Sequence, residues 1–408
     1  MFTITSLFDI FAFLYVLRSA QLLVTLGRQW STFRAGPLTA AKKGLAEQSA
    51  FFIAVPLSVF FHELAHALAV WSFGGQVLGF TYRFFWGAVN HVGSYTPAER
   101  WFIALAGTIG SLLFGLAVWL GLRRSQSAAL NYFGLRAFRF QIYFSLLYYP
   151  LFSAVLPIGD WRVIYDFAAT PLLSGITLVV HLAFLFFYWR YDRQGWFEAP
   201  SHETAVAQAQ FDTLQRETAV QPQNTALQLQ YIDALRRGGA PNRAATTLKR
   251  FLHANPHSAL AYLEMAALEA DKRRSVSKQA GQYAEKALQL GLTEPQQIAM
   301  ANQMIAGYQL EMGQGVMAVQ HYNQAIAALQ NTAWAAPNSS PDPYLLANLY
   351  RSRSLAHRRQ QQYDLAFQDL QQAMAMAKQL GDDHLLAAYQ DDLAILENHA
   401  GRALMNQT

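Results

Sequence analysis

Five consecutive residues, His62-Glu63-Leu64-Ala65-His66, carry the strongest chemical signal in the sequence. Residues four apart lie on one face of a helix, so both imidazoles can meet a single cation while Glu63 stands beside them to take a proton from water. That is the chemistry of metal-assisted hydrolysis. The surrounding run, SVFFHELAHALAVWSF, is otherwise apolar. Ionisable groups at membrane depth are costly and are functional candidates by default. The alternative is that these polar residues serve only helix packing.

A catalytic zinc takes three protein ligands and keeps a fourth position open. The sequence contains 0 Cys, so the third ligand must be His, Asp or Glu. Asp9, Asp160, Asp166 and His181 are the candidates at membrane depth. Asp160 is preferred because Pro157-Ile158-Gly159 precedes it, and Pro and Gly would interrupt a helix and let a carboxylate turn inward. His181 stays in reserve as a ligand, and His91 reads as a solvated loop histidine.

Spanning hydrocarbon takes about 20 apolar residues in a helix. Five stretches approach this, at 3–26, 48–73, 101–122, 138–157 and 171–189. The first is the weakest, because Asp9 and Arg18 fall on opposite helix faces and cannot pair simply, so it either spans or lies along the interface. It does not have the layout of a cleaved signal peptide. Residues 76–95 mix β-branched and aromatic residues with Gly, as a surface hairpin would. Gly107, Ser111 and Gly115 give the third stretch a smooth face that a neighbouring helix can approach closely.

Lys and Arg exceed Asp and Glu by 14 to 8 up to residue 200, although the whole chain carries only +5. Positive charge beside apolar segments is the orientation bias of membrane loops. No basic stripe with interleaved aromatics is present, so nucleic-acid binding is not expected.

The segment 45–190 resembles the site-two protease family of intramembrane metallopeptidases. HELAH matches the zinc-binding helix, Ala106-Gly107-Thr108-Ile109-Gly110-Ser111 resembles the family's small-residue motif, and Leu156-Pro157-Ile158-Gly159-Asp160 resembles its Asp-Gly motif. The order agrees as well. Three positions depart. The Gly expected after the aspartate is Trp161, and the Asn and Pro expected before it are Phe152 and Val155. The resemblance implies Zn²⁺ held by His62, His66 and Asp160, with Glu63 as the catalytic acid–base group. It also implies hydrolysis of peptide bonds in or beside a transmembrane segment of a membrane protein substrate. Water must reach such a site through a polar passage, and a locally unwound substrate could add as a strand to the hairpin edge.

The second half repeats itself. Ala244, Ala280, Ala318 and Ala366 align at spacings of 36, 38 and 48 residues. Leu248, Ala284, Tyr322 and Leu370 follow four residues on, and Phe251, Ala287, Ala325 and Ala373 seven on. These units resemble tetratricopeptide repeats, whose period is about 34, with the longest insertion at NTAWAAPNSSPDPY. A plain helical bundle is the competing reading. Repeat solenoids present concave surfaces, so a protein or peptide partner is expected.

The expected architecture is all-α: a multi-pass transmembrane bundle of four or five helices with a short surface β-hairpin, followed by a soluble α-solenoid. The expected boundaries are 1–195 for the membrane-embedded metalloprotease domain, 196–224 for a linker, 225–385 for the repeats and 386–408 for a C-terminal helix and tail. The basic loops 27–47 and 123–139 place themselves and the repeats in the cytoplasm, whereas the family resemblance favours the opposite orientation. Two other functions fit less of the sequence. One is a catalytically inactive membrane-tethered scaffold, motivated by Trp161 and Phe152. The other is a transporter, which would call for paired broken helices.

Overall fold

Apolar runs of this length become helices because hydrocarbon offers no partner to a free backbone N–H or C=O. In the computed structural model, which describes residues 4–156, 158–272, 276–330 and 342–405, nearly all regular structure is helical. Contacts divide the chain into two units. The first comprises Met1–Val220 with Ala234–Arg243, and the second Gln221–Asp233 with Ala244–Thr408.

The first unit opens with α1 (Ile4–Arg28), a short α2 (Trp30–Arg34) and α3 (Ala40–Ser49). A π-helical turn, Ala50–Ala54, joins α3 to α4 (Val55–Ser72), making one rod over Ala40–Ser72. Next come β1 (Gln76–Arg83), β2 (Trp86–Val92), α5 (Pro97–Leu122) and α6 (Ala128–Tyr143). A second π turn, Phe144–Tyr148, runs into α7 (Tyr149–Val155), followed by α8 (Trp161–Ile164), α9 (Pro171–Arg193) and α10 (Ala205–Val220).

Each π turn sits just ahead of a proline, Pro56 or Pro150. Proline has no N–H, so the carbonyl four residues earlier loses its helical partner. Side chains from other helices take up both orphaned carbonyls. Ser19 Oγ of α1 donates to Phe52 O at 2.6 Å, and His181 Nε2 of α9 donates to Leu146 O. Local rewinding and outside donors are how membrane helices tolerate proline.

Four described helices are long and apolar enough to cross a bilayer: Ile10–Arg28, Ala40–Ser72, Pro97–Leu122 and Pro171–Arg193. The stretch 138–157 is not among them. It runs without a gap through the end of α6, the second π turn and α7, and it is less apolar than the four because it includes Arg139 and Gln141. It packs against α3 and α5, with Gln141 fully enclosed.

The hairpin is antiparallel, with register from Gln76↔Val92 to Arg83↔Trp86 and an irregularity between Val77 and Gly79. Helix α5 starts on a capping box, Thr96 N donating to Glu99 Oε2 at 2.8 Å. Its small-residue face serves two neighbours. A Cβ at Gly110 would lie 2.7 Å from Phe61 O of α4, and one at Gly115 would lie 2.6 Å from Gln141 Cγ of α6.

The stretch 196–224 is not bare chain. It contains α10, whose helix-forming sequence AVAQAQFDTLQRETAV buries Gln208 and Phe211. At the basic end of this unit, Lys43 Nζ donates to Ala199 O at 2.8 Å and Gly239 O at 3.1 Å, and Arg139 pairs with Asp192 at 2.9 Å.

The rest of the chain is a series of helices: α11 (Thr225–Arg237), α12 (Pro241–Ala254), α13 (Ala259–Asp271), α14 (Lys278–Gln289), α15 (Pro295–Glu311), α16 (Gly315–Gln330), α17 (Pro343–Arg359), α18 (Tyr363–Leu380) and α19 (Asp383–Met405). From α13 onward each packs on the next, and α13–α15 and α15–α17 also touch, as in a solenoid of helical pairs. All twelve aligned repeat positions are buried, none more than 4% exposed. They lie on α12, α14, α16 and α18, the second helix of each pair. Most of the insertion, residues 331–341, lies outside the described residues.

Candidate metal centre

Helical geometry makes the first half of the site. His62 and His66 are one turn apart on α4, their ring centroids 4.7 Å apart and nearly perpendicular. The other half comes from a turn. Gly159, at φ 106°, takes a backbone conformation that favours glycine. It reverses the chain so that Asp160, at the N-cap of α8, faces the histidines. Asp160 Oδ2 lies 2.9 Å from His62 Nε2 and 3.1 Å from His66 Nε2. The three ligand atoms lie within 4.8 Å of one another, and this is the one His/Cys/Asp/Glu group of metal-binding spacing among the described residues.

The second ring nitrogens are also engaged. His66 Nδ1 donates to Ile103 O at 2.7 Å, and His62 Nδ1 sits 3.3 Å from Ser111 Oγ, both on α5. With Nδ1 of His66 committed as donor, neutral imidazole carries a bare lone pair on Nε2. A lone pair facing a carboxylate at this distance repels unless a proton or a metal ion lies between them. Adjacent ligands of a tetrahedral zinc are about 3.3 Å apart, from bond lengths of about 2.0–2.1 Å. The two separations from Asp160 Oδ2 are within a few tenths of an ångström of that, and the two imidazoles and carboxylate are donor types that suit zinc.

Glycines keep the surroundings open. A Cβ at Gly107 would lie 2.3 Å from His66 Nε2 and 2.5 Å from His62 Nε2, so any side chain there would enter the space the two nitrogens face. On the hairpin, a Cβ at Gly87 would lie 2.4 Å from Glu63 Cγ and 2.8 Å from Oε1. Strand β2 thus runs against Glu63, which is buried at 5% exposure.

Among the described candidates, His181, Asp166 and His91 are not brought to the centre. His181 spends both nitrogens elsewhere, Nε2 on Leu146 O and Nδ1 on the Tyr165 hydroxyl, with its ring 4.6 Å from that of Trp161. It repairs the helix that Pro150 breaks. Asp166 accepts from Ala168 N and Ala169 N at 3.1 and 3.0 Å within its own turn. His91 is exposed beside Tyr95. Asp9 lies outside the residues whose side chains are described, as does Pro157 of the third motif.

Two features were not anticipated. The Tyr149 hydroxyl donates to Asp160 Oδ2 at 3.0 Å and accepts from Asp160 N at 3.1 Å. Trp161, in place of the family's Gly, is buried, and α8 is held by Trp101 Nε1 donating to Ile164 O at 3.2 Å. Proline inside an apolar stretch was the available signal for the first, since it announces a change of helical phase.

No curated protein matches the chain. Among solved structures, the crystal structure of MamA is 19% identical, covering 42% of this chain and 88% of that one, with a TM-score of 0.31. The crystal structure of YrrB, a TPR protein with an unusual peptide-binding site, is 13% identical, covering 44% and 97%, with a TM-score of 0.27. The stretch that holds the metal centre matches a family: residues 45–192, with His62, Glu63, His66 and Asp160 inside them, fit the model of the Peptidase M50B-like, site-two protease family.

Proposed function

We propose that the chain is an intramembrane zinc endopeptidase that hydrolyses peptide bonds in or near transmembrane segments of membrane proteins. The observation that carries this is the convergence of Asp160 on His62 and His66 beside Glu63. His62, His66 and Asp160 would hold the zinc. When bound, the ion would polarise the scissile carbonyl and acidify a water.

The chain's own residues supply the rest. Glu63 takes one proton from the attacking water as its oxygen bonds to the carbonyl carbon, then delivers that proton to the amine nitrogen as the C–N bond breaks. Ser111 and Ile103 fix the imidazole planes, and Gly107 leaves room for the reacting groups. The two-stranded sheet leaves one edge of each strand unpaired among the described residues. An unwound substrate can add to that edge, and β2 brings it beside Glu63. Proline substitutions along the hairpin edge that leave cleavage unchanged would remove this part of the reading.

In this reading residues 1–195 form the catalytic part in the bilayer. The repeats over 225–385 bind a protein or peptide partner, and 386–408 close the solenoid. The basic end of the membrane unit, with Lys43, Arg136 and Arg139, faces the cytoplasm, and so do the repeats. Protease accessibility of a tag after Thr408 in sealed vesicles tests this orientation. The activity is tested by cleavage of a transmembrane reporter with the parent and Glu63→Gln. Retained zinc with lost cleavage supports the enzyme, and a metal-free parent supports the scaffold.

A further inference from the structure

We propose that Tyr149 is a positioning residue of the metal centre, holding Asp160 in its ligating orientation. The inference rests on the zinc site proposed above. Asp160 follows a glycine at φ 106° and starts a helix of only four residues, where its carbonyl accepts from Val163 N and Ile164 N at 2.9 and 3.0 Å, bonds that hold the backbone and leave the carboxylate torsions free. The Tyr149 hydroxyl grips it twice, donating to Oδ2 at 3.0 Å and accepting the backbone N–H at 3.1 Å. One phenol has the donor and the acceptor needed for both bonds. Together they fix the backbone and the side-chain torsions of one residue. The Tyr149 ring also packs edge-on to His62, centroids 5.7 Å apart, so it touches two of the three ligands.

Phe152, which occupies the Asn position of the related motif, stacks its ring with Tyr148 at 6.2 Å. Tyr149 lies nearly one turn earlier on the same helix. What aims it is the π turn Phe144–Tyr148, since one residue more than a regular turn advances everything after it by about 100° around the axis. The π turn is in turn supported by His181, whose Nε2 satisfies Leu146 O, the carbonyl left without a partner by Pro150. Tyr149, Pro150 and His181 thus act as one device.

Partners that orient metal ligands contribute 10–100-fold to metal affinity. The test is zinc affinity of the full-length, detergent-purified chain by chelator competition, with the visible spectrum of the cobalt-substituted protein as a second readout. Tyr149→Phe is expected to weaken zinc binding by about 10–100-fold and to alter the cobalt spectrum. Tyr149→Gln, which keeps a donor and an acceptor, is expected to recover part of the loss, and Tyr148→Phe to change nothing. Parental affinity in Tyr149→Phe overturns the proposal. So does a Tyr149→Phe variant whose weaker binding comes with a loss of helical content, which would mean that folding and not the hydroxyl's hydrogen bonds is at stake. A parent chain that binds no zinc overturns the metal-site reading itself, a distinct result.

Discussion

Polar side chains make up a large share of what the membrane unit buries and a small share of what the repeats bury. Ala244, Ala280, Ala318 and Ala366 are all 0% exposed, and their partners four and seven residues on are apolar. The membrane unit buries Ser58, Glu63, His66, Thr108, Ser111, Gln141, Ser153 and His181, while large apolar side chains such as Leu172 and Val179 face outward. The share differs because the solvent differs. In water the solenoid gains by removing apolar surface, whereas lipid offers no such gain and leaves close packing and polar partners to hold helices together. A substitution should therefore be read by the unit it falls in.

The largest effect is expected in the polar interior of the membrane unit, at Glu63. Glu63→Gln is expected to lower cleavage of a transmembrane reporter by about 10²–10⁴-fold, with zinc content unchanged by metal analysis. Measurable cleavage at the parental rate would assign Glu63 to packing.

Next in size is Gly107→Ala, where one methyl enters the space the two imidazole nitrogens face. Zinc affinity should fall at least about 10-fold. Gly121→Ala on the same helix, where a Cβ would meet nothing within 4 Å, should leave it unchanged. Equal effects at the two glycines would show that helix propensity, not the site, is being measured.

A smaller effect tests the other unit. Ala325→Leu overfills a position that is 0% exposed in the core between α15, α16 and α17. It should destabilise the repeats by about 1–3 kcal/mol, seen as a lower denaturation midpoint, while zinc content stays at the parental level. Smallest of all is Leu172→Ala at the outward face of α9, expected to shift stability by no more than about 0.5 kcal/mol. A loss of several kcal/mol there would mean that α9 is covered by protein instead of lipid.

How legible each region was follows from the same contrast. The repeats could be read because each unit restates the same small-residue positions, and all twelve aligned positions are enclosed. The pair His62 and His66 could be read because a regular helix fixes what lies four residues away. Asp160 could be read because Gly159 marks the turn that presents it. Tyr149 could not, since its aim depends on an extra residue in the π turn before it, and periodicity counting assumes an unbroken helix. His181 appeared as a spare ligand because nothing local shows that a carbonyl on another helix has lost its partner to Pro150. The stretch 138–157 reads as a fifth span by composition, and it is less apolar than the four long helices because Arg139 and Gln141 lie in it. Helix α10 was missed because Phe211 and Gln208 give it only a thin buried face.

The central claim is that His62, His66 and Asp160 together grip a metal ion, and zinc stoichiometry of the purified full-length protein tests it without any substrate. The account predicts about one zinc per chain in the parent, and close to none in His62→Ala or Asp160→Ala at parental helical content. A folded parent chain that carries no zinc after purification in zinc-supplemented buffer would contradict it.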